Sequence, residues 1–360
     1  PLKTKVKKPK TKGTKADSVE KVTVADLLPT LEKTDFKLDE QPYSSLFKIY
    51  QKEFLEISVS AGLIHADSLA LAGDGTPVVT SHRERKKRIC NCKENGIHDC
   101  NCDRYFSQPD CDIGWDSSRD CYYHGYDLYM LVDSQSDLPV FPHFSCASKH
   151  DSHGFLHAFF RMKSFLPEYS VSKVLLDAAH DAMPYYQYFK RKNITPFIDL
   201  NGKGGRPPVY KNDFTIDKDG VPICPSGFRM RRDGVEVAKG RMKFKCPKIS
   251  HAGGCISCTC ETPCSNAKYG RTVHLVLKDN PRLFNNPPRS SKEWKLEYNA
   301  RTSAERSNKR EKLDFKLEDG RHRSTKMWYC RLYHILMLQH LDAWDLPPES
   351  TLKKMILDAA

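Results

Sequence analysis

Between residues 69 and 199 strand-length and helix-length segments alternate, and their order limits the fold more than any other feature of the chain. LALAGDGTPVV (69–79) reads as a strand whose apolar run is interrupted by Asp74, held between two glycines. YHGYDLYMLVD and LPVFPHFSCAS follow as two strands, with SQSD at the turn. Residues 151–166 read as a helix carrying HAFFRMKSF. VSKVLLDAAHD is a buried strand that ends in an acid, Asp177. AMPYYQYFKRK is a helix and ITPFIDL a further strand. Strands, then helix, strand, helix and strand predict an α/β core with a mixed sheet flanked by helices.

Cysteine interrupts this core. Of 14 cysteines, six lie between Cys90 and Cys121 and six between Cys224 and Cys264; Cys146 and Cys330 stand apart. Close pairs in a basic chain point to metal rather than to disulfides. Cys90, Cys92, Cys100 and Cys102 form one candidate zinc set, inside a Cys-rich insertion at 82–121. Cys224, Cys246, Cys255 and Cys258 form the other, inside a β-rich or irregular module at 200–290. Such sites supply about 10–16 kcal/mol of apparent folding free energy, enough to hold polar insertions with little core of their own. The alternative is reduced thiols in loops.

The flanks are simpler. Residues 1–20 read as a disordered basic arm: seven lysines and no acid lie in the first fifteen residues. The net charge is +13, so the remaining 345 residues still carry +6. That balance favours a polyanionic partner, nucleic acid before membrane. Residues 21–68 hold two helical patterns, the second with Leu46, Phe47, Tyr50, Phe54 and Ile57 on one face. MWYCRLYHILMLQHL is interrupted by Arg331, His334, Gln339 and His340, and reads as a buried helix rather than a membrane span. No apolar stretch of a signal peptide follows the lysine-rich start, and a first residue of Pro1 suggests a fragment or processed chain. Residues 347–360 form a tail.

The segment YNARTSAERSNKREK (298–312) is dense in charge, and Tyr298, Arg301, Glu305 and Lys312 are spaced by 3, 4 and 7. On a continuous α-helix all four fall on one narrow stripe, roughly 20 Å long. Such a stripe can present a carboxylate to a reaction centre and run basic and aromatic groups along a phosphate backbone. It is equally an ordinary charged face with the pair Arg301–Glu305. Asp74 and Asp177 likewise suit either a metal centre or a cap and turn role.

GDGT at 73–76, LLDAAHD at 175–181 and Y-x2-R-x3-E-x6-K at 298–312, in this order, resemble the motifs of DDE transposases of bacterial insertion sequences. YHGYDLYMLVDSQSDLPV and SKHDSHG add to the likeness, which covers about residues 65–345. The insertion at 82–121 departs from the family pattern. The resemblance implies a ribonuclease H-like core over 69–199, completed at 291–346 after the 200–290 insertion. It places Asp74 on the first strand, Asp177 at the end of the fourth and Glu305 on a later helix. It implies that these three carboxylates are catalytic and hold Mg²⁺ or Mn²⁺, while Tyr298, Arg301 and Lys312 bind DNA near the cleaved end. Trp294 and Trp115 are aromatic candidates for holding a flipped base, beside an ordinary core role.

The expected activity is cleavage and strand transfer at the ends of an insertion sequence by two-metal phosphoryl transfer. Double-stranded DNA at transposon ends and target would be the partner, with a homodimer on DNA, no membrane, and a cytoplasmic location acting on the chromosome. The rival expectations are a zinc-stabilised DNA-binding protein without catalysis, and a metal-dependent nuclease of the same fold.

Overall fold

The computed structural model describes residues 22–80, 84–88, 91–92, 94–97, 104–106, 111–202, 214–249, 260, 264–267 and 269–344. The basic arm, the tail and Cys90, Cys100, Cys102, Cys255 and Cys258 lie outside the described residues. The chain divides into two compact units. Unit 1 is Pro1–Lys173 with Arg301–Ala360, and unit 2 is Val174–Ala300.

Unit 1 begins with α1 (Val24–Lys33), whose first turn is closed by Asp26 Oδ2 accepting from Thr23 N at 2.9 Å and Thr23 Oγ1 at 2.6 Å. The second helical pattern is real but not uniform. It consists of α2 (Ser44–Tyr50), a π-helical turn (Gln51–Leu55) and α3 (Glu56–Ser60). The wide turn changes which residues face inward. Phe47 and Tyr50 are buried as expected, but the next buried position is Leu55, five residues on. Phe54 is half-buried and Ile57 is exposed, which corrects the expected face.

The sheet follows. β1 (Leu69–Val79), β2 (Glu84–Arg88), β3 (Arg104–Phe106), β4 (Asp112–Asp116), β5 (Cys121–Asp133), β6 (Pro139–Cys146), α4 (Asp151–Phe165) and β7 (Val171–Leu176) come in chain order. The sheet order is β4-β5-β1-β7-β8, with β6 also paired to β5, and it mixes parallel and antiparallel strands. The division between the units falls inside β7. β5 is the long central strand: Leu128 to Val132 are wholly buried, alternate residues on opposite faces, so both faces are covered. β1 and β5 approach so closely that a Cβ at Gly125 would lie 1.9 Å from the Val78 carbonyl oxygen. Within 82–121, β2 pairs with β3, while β4 returns to pair with the start of β5. The end of this segment, β4, therefore belongs to the main sheet.

Unit 2 carries the end of β7, α5 (Met183–Arg191), β8 (Thr195–Ile198), β9 (Thr215–Ile216), β10 (Pro222–Ile223), β11 (Arg231–Glu236), β12 (Arg241–Lys245), β13 (Thr272–Val276) and α6 (Lys292–Asn299). β11-β12-β13 form an antiparallel sheet over a small core that includes Val221, Met242, Phe244, Val273 and Leu275. These strands thus have an apolar core of their own. α5 buries Tyr185, Tyr186, Tyr188 and Phe189.

The chain returns to unit 1 with α7 (Thr302–Lys309), a π-helical turn (Arg310–Asp314) and α8 (Thr325–Ala343). α8 is tied to the N-terminal helices through His340. Its Nδ1 lies 2.8 Å from Ser58 Oγ and its Nε2 3.0 Å from Tyr50 Oη, and burial lowers its pKa to about 4. No helix of the described residues is long and apolar enough to cross a membrane.

Candidate active site

Asp74 sits in the middle of β1, opposite Met130 of β5. Asn308 on α7 reaches it: Asn308 Nδ2 donates to Asp74 Oδ2 at 3.1 Å. Glu305 is three residues earlier on the same helix, about 4.5 Å along its axis. Glu305 is therefore within one helical turn of the residue that touches Asp74. The Glu305 side chain is 51% exposed and pairs with Arg301, whose Nη2 lies 2.5 Å from Glu305 Oε1. A carboxylate so exposed pays little desolvation cost and is accessible to a ligand.

Lys312 pins the following turn to β1. Its Nζ donates to the Pro77 carbonyl at 2.6 Å, lies 3.3 Å from Glu318 Oε1 and is 15% exposed. Glu318 Oε1 in turn accepts from Val79 N at 3.0 Å. The Lys312 ammonium is thus spent on holding the segment to β1. Beneath it, Glu311 is fully buried. Ser307 Oγ donates to its Oε1 at 3.2 Å and Gln339 Nε2 at 3.4 Å, and burial pushes its pKa up to about 8.

The straight helix expected over 298–312 is not what forms. α6 ends at Asn299, Ala300 and Arg301 form a turn, α7 spans eight residues and the next five are π-helical. A turn and a wide π turn each reset the angular register, so the single stripe is replaced by three short segments. Tyr298 belongs to α6 in unit 2, where it stacks on Trp294 with ring centroids 4.5 Å apart and planes 18° apart. Trp294 is buried and also packs near Phe197 of β8, a core position. Trp115, by contrast, is half exposed and makes an edge contact with Tyr122.

Asp177 directly follows β7 in unit 2. Its Oδ1 accepts from Ala179 N at 3.1 Å and lies 2.6 Å from His180 Nδ1. It therefore caps the short 3₁₀ turn Ala178–His180, the local role open to it from sequence, while its side chain stays 37% exposed.

The described members of the second cysteine set, Cys224 and Cys246, both lie near a further cysteine, Cys264. Cys224 and Cys246 are buried, and Cys264 packs against the same small core. The Cys264 thiol is pushed up by burial, then by charge on Cys224 and Cys246. No group of three metal-ligating side chains forms among the described residues. Asn308 and Glu318 are the contributors that the sequence did not reveal. Both are ordinary polar residues whose importance comes from a partner more than 230 positions away. Comparison with known proteins matches no family model and no curated protein.

Proposed function

We propose that the chain is a DNA-processing phosphoryl-transfer enzyme of the DDE transposase type, with a ribonuclease H-like core. The observation that carries the reading is the Asn308–Asp74 hydrogen bond, because it docks the helix of the third motif on the strand of the first. Strand order supports it. With β2–β4 taken as the insertion, β1, β5, β6, β7 and β8 are the five core strands, Asp74 lies on the first and Asp177 follows the fourth. Asp74, Asp177 and Glu305 are hard oxygen donors of the kind Mg²⁺ or Mn²⁺ takes, and two of them are substantially exposed. Bound divalent ions would supply activation of the attacking oxygen and charge neutralisation at the phosphate.

The protein's own part is positioning. Glu305 and Asp74 come to the reacting end from a helix and a strand held together by Asn308 and Lys312. The Arg301 guanidinium beside Glu305 offers a planar donor pair for a phosphate at the same place. Tyr298, with Trp294 behind it, is the other DNA-facing residue of this reading, while Lys312, expected from sequence to bind DNA, instead holds the turn after α7 to β1. Cys224, Cys246, Cys255 and Cys258 would hold a structural zinc, with Cys264 near the first two. A net charge of +13 suits duplex DNA at transposon ends and target, engaged by a homodimer.

The test is a joining assay. The chain is incubated with Mg²⁺, a duplex carrying its element's own ends and a second target duplex. The expected result is nicking that exposes a 3′-OH, followed by covalent joining to the target. Cleavage without joining would make it a nuclease, and binding without cleavage a non-catalytic DNA-binding protein.

A further inference from the structure

Asp74 and α7 occupy one face of β1, and the opposite face holds a second pair of acids. In the β1–β5 register Gly75 faces Tyr129 and Pro77 faces Asp127. Side chains alternate, so Gly75, Asp127 and Tyr129 share a face that Asp74 does not. α4 covers that face: a Cβ at its Gly154 would touch the Tyr129 ring at 3.1–3.4 Å. Asp151, the first residue of α4, reaches down to the same place.

Gly75 reveals where the carboxylates aim. A Cβ at Gly75 would lie 2.7 Å from Asp151 Oδ1 and 3.3 Å from Asp127 Oδ1. The two oxygens are therefore no farther apart than the sum of those distances, over a residue with no side chain to separate them. Asp127 is only 5% exposed, and its Oδ2 is buried with no hydrogen-bond partner among the described residues. A buried carboxylate without a donor is costly. Burial first, then the charges of Asp151 and Asp74, push its pKa up to about 8. The surroundings add acid: Asp112, Asp116, Asp127 and Asp151 all act on nearby Tyr123.

We propose that Asp127 and Asp151 form a cation site for a small hard divalent ion, Mg²⁺ or Mn²⁺, on the face of β1 opposite Asp74. Two carboxylates with retained waters are a normal ligand set for such an ion. Binding exchanges a proton for the cation: Asp127 gives up its proton to buffer, and both carboxylates become ligands. The ion also fixes the start of α4 against β1, directly behind the residue on which the proposed chemistry depends. The site needs no DNA and does not rest on the catalytic reading.

The test uses the full chain without DNA. Mn²⁺ binding is followed by calorimetry in two buffers of different ionisation enthalpy, and thermal melts are recorded in EDTA and in Mn²⁺. The expected result is a Mn²⁺-dependent rise in Tm, with net proton release near pH 7. Asp127→Asn should melt no lower than wild type in EDTA, since it removes a buried acid, yet lose most of the rise and the proton release. Asp151→Asn, at a less buried position, should weaken the same binding at least tenfold. Asp74→Asn should keep the proton-releasing event. An undiminished Tm rise and proton release in both Asp127→Asn and Asp151→Asn would overturn the proposal. So would their loss in Asp74→Asn alone.

Discussion

Glu311 and Lys312 are adjacent in sequence and opposite in behaviour. Glu311 is buried with its pKa raised to about 8, and Asp127 is raised to about 8 for the same main reason. A carboxyl whose folded pKa lies above its unfolded value holds a proton that the unfolded chain has already released. Its stability contribution is complete below the unfolded pKa, near 4, and is lost as pH rises towards 8. Each such group therefore contributes a fall of up to about 1.4 kcal/mol per pH unit across that window. Urea unfolding at pH 5, 6, 7 and 8 should register the decline, and Glu311→Gln should flatten part of it; equal slopes in the two proteins would contradict the assignment. Lys312 is the reverse case, a charge satisfied by the Pro77 carbonyl and Glu318. Lys312→Met should cost about 1–3 kcal/mol by leaving those acceptors in a part-buried place. Denaturant midpoints measure it, and an unchanged midpoint would mean the contact contributes nothing.

Elements were legible where period and length agreed. β1, α4, α5 and α8 lie close to where the apolar pattern puts them, because each needs only its own residues to declare itself. The π turns did not declare themselves. A single extra residue in a helical turn leaves composition unchanged and moves every later side chain, which is why Leu55 rather than Phe54 enters the core. Leu55→Ala should therefore cost about 2–5 kcal/mol. Ile57→Ala, at an exposed site, should stay within about 0.5 kcal/mol. Paired thermal melts decide it, and the opposite ranking would restore the uniform helix. The same blindness hid the break at Ala300–Arg301. Tyr298 and Glu305 look like one stripe in sequence and belong to separate helices in the fold. The spacing of Arg301 and Glu305 did predict a real ion pair, since i,i+4 neighbours need no tertiary information. Asn308 was invisible for the contrary reason, its partner being Asp74 on a distant strand.

For the whole molecule, charge and cysteine set the expectations. A chain of +13 that binds duplex DNA should lose affinity steeply with salt, and the slope of log K against log salt reports the number of phosphates neutralised. Arg301→Ala should reduce that slope by about 1 if the guanidinium meets a phosphate. In unit 2, Cys224, Cys246 and Cys264 should become reactive to a thiol reagent when a strong zinc chelator is added, with a parallel fall in Tm. Thiols equally reactive with and without chelator would leave the small apolar core as the module's sole support.

The central claim is that the Asn308–Asp74 contact brings Glu305 and Asp74 to one reaction centre. The measurement that tests it most directly is Mg²⁺-dependent nicking of the element's own ends by wild type, Glu305→Gln and Asp74→Asn, each checked for DNA binding. The account predicts that both variants bind DNA as wild type does and lose cleavage by at least about a thousandfold, ~4 kcal/mol of transition-state stabilisation. Wild-type cleavage rates in Glu305→Gln would contradict it, and would return 298–312 to the role of a charged face.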